Sequence, residues 1–101
     1  MQNVNATQLS QLLSQGNKVL VQYTATWCGP CKALTPRLSN LSNKYSDITF
    51  VKLDIEENMD SARELNITTV PTVMIYNGTT LVNRSVGANI DSVYTNILDT
   101  L

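Results

Sequence analysis

Trp27-Cys28-Gly29-Pro30-Cys31-Lys32 follows an apolar run, Val19-Leu20-Val21, extended by Tyr23, and opens a segment with Leu34, Leu38 and Leu41 at helical spacing. The run is short, continuous and β-branched, the pattern of a strand covered on both faces. The hexapeptide holds both cysteines of the chain. A cysteine where a strand hands over to a helix meets unpaired backbone N–H groups and the positive end of the helix dipole. Both favour a thiolate, so Cys28 is expected to titrate below an ordinary cysteine and to be the better nucleophile. Cys31 falls one turn further in, within reach of a mixed disulfide formed on Cys28. Pro30 suits a first helical turn, where its missing N–H has no partner to lose. The stretch therefore reads as a dithiol–disulfide exchange site, and nothing in packing requires two exposed cysteines at such a place.

Outward from this centre, the helix carries Leu34, Leu38, Leu41 and Tyr45 on its inner face, with Pro36 inside it as a kink. Upstream, Leu9, Leu12 and Leu13 mark a first helix, with Thr7 or Asn5 as its N-cap and Gly16 just past its end. Met1–Val4 is a short edge strand. Downstream, Ile48–Ile55 is a second buried strand, with Val51, Leu53 and Ile55 on one side and Phe50, Lys52 and Asp54 on the other. Asn58 is expected to cap a short helix that turns Met59, Ala62 and Leu65 inward. Thr72–Tyr76 and Leu81–Val86 flank Asn77-Gly78, a hairpin signal because both residues tolerate positive φ. Thr79-Thr80 lengthens that loop beyond two residues. Gly87 ends the last strand, and Asn89 caps a final helix with Ile90, Val93, Ile97 and Leu101 on one face. The order (β)αβαβα, hairpin, α specifies an α/β fold: a mixed central sheet, parallel in its core with an antiparallel C-terminal hairpin, flanked by helices on both faces. Ligands of open α/β sheets meet the carboxyl ends of the strands, which is where Cys28 lies.

Length and composition narrow the function. The 101 residues suit one domain, residues 1–101. Seven Lys+Arg against eight Asp+Glu leave a formal charge of −1, with no basic face for nucleic acid and no acidic tail. Few charges mean weak steering, so recognition rests on shape and apolar contact. There is no apolar leader after Met1 and no stretch long enough to span a membrane. The Asn-x-Ser/Thr triplets at Asn5, Asn40, Asn66, Asn77 and Asn83 are what so Asn-, Ser- and Thr-rich a chain produces by chance. Two cysteines without an export signal point to a reducing compartment, the cytoplasm. A structural zinc site would need further ligands, and the chain has no histidine and no third cysteine.

On these residues the chain resembles the thioredoxin family over essentially its whole length. Trp27–Lys32 is identical to the family's active-site hexapeptide. Val70-Pro71-Thr72 resembles the loop that carries a cis-proline facing the active-site disulfide. Asn77-Gly78 and Val86-Gly87-Ala88 are similar to turns of the family, Pro36 to its helix-kinking proline, and Lys52 to a lysine beneath the site. The resemblance implies a protein-disulfide reductase in which Cys28 attacks a target disulfide and Cys31 resolves the mixed disulfide. It implies a flat apolar rim of Trp27, Gly29, Pro30, Val70, Pro71, Gly87 and Ala88, with an extended target strand hydrogen-bonded at Val70. It also implies a monomer that binds no cofactor beyond its redox-active Cys28–Cys31 disulfide. A flavin-containing thioredoxin reductase drawing on NADPH would regenerate it.

Two positions depart from the pattern. Thioredoxins usually carry a buried aspartate six residues ahead of the first cysteine, and here that residue is Gln22. An amide cannot take the resolving cysteine's proton, so slower turnover is expected. Lys52 loses its counter-charge unless Asp54 or water compensates. Thr24 stands where a bulky aromatic is common, which opens the floor of the site.

Overall fold

The computed structural model describes residues 1–101. Its elements are β1 (Gln2–Asn3), α1 (Ala6–Ser14), β2 (Lys18–Thr24), α2 (Gly29–Ser42), β3 (Ile48–Asp54), α3 (Met59–Glu64), β4 (Thr72–Asn77), β5 (Thr80–Val86) and α4 (Asp91–Leu98). The strands form one five-stranded sheet in the order β1-β3-β2-β4-β5. β1, β3 and β2 are mutually parallel, whereas β4 runs antiparallel to β2, and β5 to β4. The expected mixed sheet is therefore the observed one.

β2 lies at the centre, and Val19 to Tyr23 are all buried. Strand side chains alternate between faces, so this one run feeds two cores. Val19, Val21 and Tyr23 join Val51, Leu53, Met74 and Tyr76 in a layer with Leu9 of α1 and Ala62 of α3. Leu20 joins Phe50, Val73 and Ile75 against Leu34, Leu38 and Leu41 of α2 and Tyr94 and Leu98 of α4. Each fully buried leucine contributes roughly 1.5–3 kcal/mol relative to an exposed one. By the same parity Gln22 falls on the α2 face, in register with Lys52 of β3 and Val73 of β4. The sheet thus delivers a polar pair to the underside of the cysteine helix.

Several local expectations are corrected. Asn5, one of the two anticipated residues, is the N-cap of α1: its side chain accepts from the Gln8 N–H at 2.8 Å, and the Gln8 side chain accepts from the Asn5 N–H at 2.9 Å. Asn58 makes no such cap for α3. Its carboxamide bridges instead, accepting from the Ala6 N–H and donating to the Asp54 carbonyl, each at 2.9 Å. It ties the start of α1 to the end of β3. Met59 is 54% exposed rather than inward, because α3 is too short to turn that position onto the sheet. Asn89 does not cap α4 either; its Nδ2 donates to the Val86 and Gly87 carbonyls, both at 3.2 Å, and Ile90 is the N-cap residue, 71% exposed. The buried residues of α4 are Tyr94 and Leu98, with Val93, Ile97 and Leu101 packed at the margin.

The hairpin is tighter than its sequence suggested. Asn77 belongs to β4 and pairs with Thr80, which leaves a two-residue loop, Gly78-Thr79. Only Gly78 takes positive φ there (+59°), and its N–H donates to the Asn17 carbonyl at 2.9 Å. An irregularity opposite Ile75 and Tyr76 absorbs the extra residue in β5.

Tyr45 lies just beyond α2, stacked on Phe50 with ring centroids 6.4 Å apart. Its hydroxyl donates to Asp99 at 2.6 Å, joining the end of α2 to the end of α4. That hydrogen bond pushes the Tyr45 phenol up to about 12, with burial and the Asp99 charge adding to it. A raised phenol pKa stabilises the fold below the free value near 10 and loses that contribution as pH rises through about 12. Tyr45→Phe should therefore flatten the alkaline limb of a stability–pH curve from urea titrations. The effect is under about 1 kcal/mol because the pair is open to solvent.

Candidate redox-active site

The site begins where β2 ends. The chain turns through Ala25, Thr26 and Trp27, and the Cys28 N–H donates back to the Ala25 carbonyl at 3.2 Å. Cys28 is the N-cap of α2, Gly29 the first helical residue, and Pro30 occupies the first turn. The Cys28 sulfur occupies the place of a capping oxygen: the Cys31 N–H donates to it at 3.2 Å. A sulfur held by a backbone donor at a helix start is stabilised as an anion once the disulfide opens.

Cys28 and Cys31 form a disulfide, with Cα atoms 5.3 Å apart. The expectation of exposed cysteines is corrected: Cys28 is 3% and Cys31 1% exposed. Ala25, Ile55 and Val70 pack over them. Trp27, by contrast, is 65% exposed beside the disulfide. Gly29 and Pro30 are exposed in the same turn.

The far side of the site comes from the loop before β4. The Val70 carbonyl oxygen lies 3.6 Å from the Cys28 sulfur, and the Val70–Pro71 peptide bond is cis. Pro71 is buried, and its carbonyl accepts from the Gly87 N–H at 2.8 Å, which draws the end of β5 alongside. Gly87 has φ +89°, a conformation that side chains disfavour. Ala88 follows it, exposed. The Tyr94 hydroxyl, buried between helix and sheet, accepts from the Asn89 N–H at 3.1 Å and lies 3.4 Å from the Gly87 carbonyl. This loop is thereby anchored to the core.

Ile55 is a residue that sequence reasoning assigned to the strand and not to the site. It is half-buried against the disulfide with Val70, and its N–H donates to the Thr24 carbonyl at 2.9 Å. Its place at the carboxyl end of the strand parallel to β2 was the signal available.

Behind the disulfide lies the departure at position 22. Gln22 is fully buried, its Nε2 donating to the Cys31 carbonyl at 3.3 Å. Its Oε1 accepts from the Thr35 hydroxyl at 2.9 Å. Lys52 is half-buried and forms no ion pair; Asp54, its expected compensator, accepts from the Glu56 N–H at 2.8 Å instead. A polar recess of about 830 Å³ opens here, lined in part by Thr24, Cys31, Lys32, Thr35, Lys52 and Asp54. Cys31 is one of its lining residues, so the recess extends to the buried cysteine.

Comparison with known proteins agrees with this geometry. The thioredoxin family model matches residues 1–99. Thioredoxin-2 of Saccharomyces cerevisiae is 41% identical over 86 residues, 84% of this chain and 83% of that protein. A bifunctional thioredoxin reductase/thioredoxin of Mycobacterium leprae is 39% identical over 85 residues, 83% of this chain and 19% of that protein. The crystal structure of oxidised mitochondrial thioredoxin 3 from Saccharomyces cerevisiae superposes with a TM-score of 0.87 at 35% identity, covering 98% of this chain and 94% of that one. With a vicinal cysteine pair at the head of α2, its sulfur capped by the Cys31 amide, this chain belongs to the thioredoxin family of protein-disulfide oxidoreductases.

Proposed function

We propose that the protein is a general protein-disulfide reductant in which Cys28 attacks and Cys31 resolves. The observation that carries the assignment of roles is the Cys31 N–H on the Cys28 sulfur at the N-cap of α2, which favours the anion at Cys28. The Cys28 thiolate attacks one sulfur of a target disulfide, and the other target sulfur leaves as a thiolate. Cys31 then gives up its proton and attacks the Cys28 sulfur, releasing the second target thiolate. Two electrons and two protons pass in total from the dithiol to the target. Trp27, Gly29, Pro30, Val70, Pro71, Gly87 and Ala88 form the contact rim, and Ile55 extends it. A target strand lying across Val70 meets a carbonyl already directed at the site.

The oxidised pair is reduced again by a flavin-containing thioredoxin reductase using NADPH, a partnership for which the fused reductase–thioredoxin relative is the precedent. The chain acts as a monomer without a bound cofactor, in a reducing compartment, the cytoplasm, with no nucleic acid or membrane partner. No helix is long and apolar enough to cross a membrane. Reduction of insulin by dithiothreitol, followed as turbidity and repeated with a reductase and NADPH, tests the proposal. Acceleration in both supports it; no acceleration by the protein with dithiothreitol overturns it.

Gln22 sets the pace of the second step. A positioned general base contributes roughly 10²–10⁴-fold, of which water entering the recess recovers part. Gln22→Asp should speed resolution of a mixed disulfide at neutral pH by about tenfold or more. It should leave the first attack unchanged. Equal resolution rates would show that position 22 does not limit turnover. The amide also spares the fold a buried charge, whose desolvation costs several kcal/mol in order of magnitude.

A further inference from the structure

Thr35 lies one turn after Cys31 on α2, where a threonine hydroxyl ordinarily bonds back to the carbonyl four residues earlier. That contact exists: Thr35 Oγ1 is 2.9 Å from the Cys31 carbonyl. The same oxygen is also 2.9 Å from Gln22 Oε1. The hydroxyl carries one hydrogen, so the two acceptors compete for it. The Cys31 carbonyl has a second donor, Gln22 Nε2 at 3.3 Å, whereas no other donor reaches Gln22 Oε1. Leaving that buried oxygen unpaired is the costlier choice. The arrangement that satisfies all three groups has Thr35 donating to Gln22, and Gln22 donating to Cys31.

This arrangement also fixes which end of the Gln22 carboxamide faces α2. Flipped, Oε1 would lie against the Cys31 carbonyl, two acceptors without a hydrogen between them. We propose that Thr35 is a positioning residue for the resolving step: its hydroxyl locks the Gln22 amide so that an N–H donor, rather than an oxygen, stands at Cys31. Nε2 carries two hydrogens and the Cys31 carbonyl takes one. The second has no acceptor while the disulfide is closed; it becomes available to the Cys31 sulfur once the disulfide opens, steadying the developing thiolate without accepting its proton. The proton leaves to water in the recess that Thr35 and Cys31 both line. The inference rests on the reading of Cys31 as the resolving thiol and adds to it the residue that orients its neighbour.

The test is a stopped-flow reaction of the reduced protein with dithionitrobenzoate, whose released thiolate absorbs in the visible. Attack by Cys28 releases the first aromatic thiolate in a phase that depends on probe concentration. Attack by Cys31 on the Cys28 mixed disulfide releases the second in a phase that does not. Thr35→Val, nearly isosteric, should slow the second phase by about tenfold, the scale of one lost hydrogen bond to a charged group, and leave the first unchanged. Thr35→Ser, which keeps the hydroxyl, should restore it. An unchanged second phase in Thr35→Val overturns the proposal. So does equal slowing of both phases, which reports general damage to α2, or failure of Thr35→Ser to rescue. If wild type releases only one aromatic thiolate per protein instead of two, the resolving role of Cys31 itself fails, a result separate from any difference among the Thr35 variants.

Discussion

Cys28→Ser should lower insulin reduction by at least about 10³-fold, the scale on which enzymes lose activity with their nucleophile. A hydroxyl at this position is not ionised at neutral pH, and a helix start cannot make up so large a difference. Cys31→Ser should behave differently. Its first attack proceeds, but with no second sulfur to displace the target the mixed disulfide accumulates and is visible by mass spectrometry under non-reducing conditions. Both variants should keep the fold. Serine is a favoured N-cap, so Cys28→Ser replaces a capping sulfur by a capping oxygen for the Cys31 N–H. Closing so short a loop contributes only about 2 kcal/mol by chain entropy. Both variants should thus match reduced wild type in urea titrations and fall below only the oxidised form. Retention of insulin reduction by Cys28→Ser would remove Cys28 from the role of nucleophile. Trapping of targets on Cys28→Ser rather than Cys31→Ser would reverse the two assignments.

The asymmetry between the two cysteines was legible because it depends on local chain chemistry. A strand, two cysteines two residues apart and a proline in the first turn fix which sulfur sits at the helix start. The mixed sheet was legible from similarly direct signals, since the run Val19-Leu20-Val21 reads as a strand covered on both faces; the order β1-β3-β2-β4-β5 came only with the fold. What the sequence left obscure were hydrogen bonds between distant residues. Asn58 and Asn89 each stand where a cap is expected, yet both carboxamides found partners elsewhere: Ala6 and Asp54 for one, Val86 and Gly87 for the other. A capping bond competes with every other acceptor and donor within reach, and tertiary neighbours are not written beside the residue. The same holds for Gln22. Its identity as an amide was visible, but its partner Thr35 lies on another element and became apparent only in the fold. Ile90 and Met59 were drawn inward by periodicity alone, although each sits at a helix end where the turn has not yet settled onto the sheet.

Leu34→Ala should cost about 2–5 kcal/mol of unfolding free energy, a large part of the roughly 5–15 kcal/mol typical of a domain. Leu34 is fully buried on the inner face of α2, in the layer formed with Leu20, Val73, Ile75 and Tyr94. Truncation loses the transfer free energy of its methyl groups and leaves a cavity between a helix and a sheet that cannot close freely around it. The neighbouring substitution Ala33→Ser, on the exposed side of the same helix, should stay within about 0.5 kcal/mol and controls for helix propensity. Thermal unfolding of the oxidised protein should fall by roughly 8–40 °C for Leu34→Ala, at about 4–8 °C per kcal/mol for a chain of this size. The folded fraction should still exchange disulfides, because Cys28 is held by the end of β2 and the Cys31 amide rather than by Leu34. A loss under about 1 kcal/mol would mean that the face of α2 beneath the site is not packed as observed. The rigid placement of Cys31 relative to Gln22, on which the proposed control of resolution rests, would then lose its structural basis.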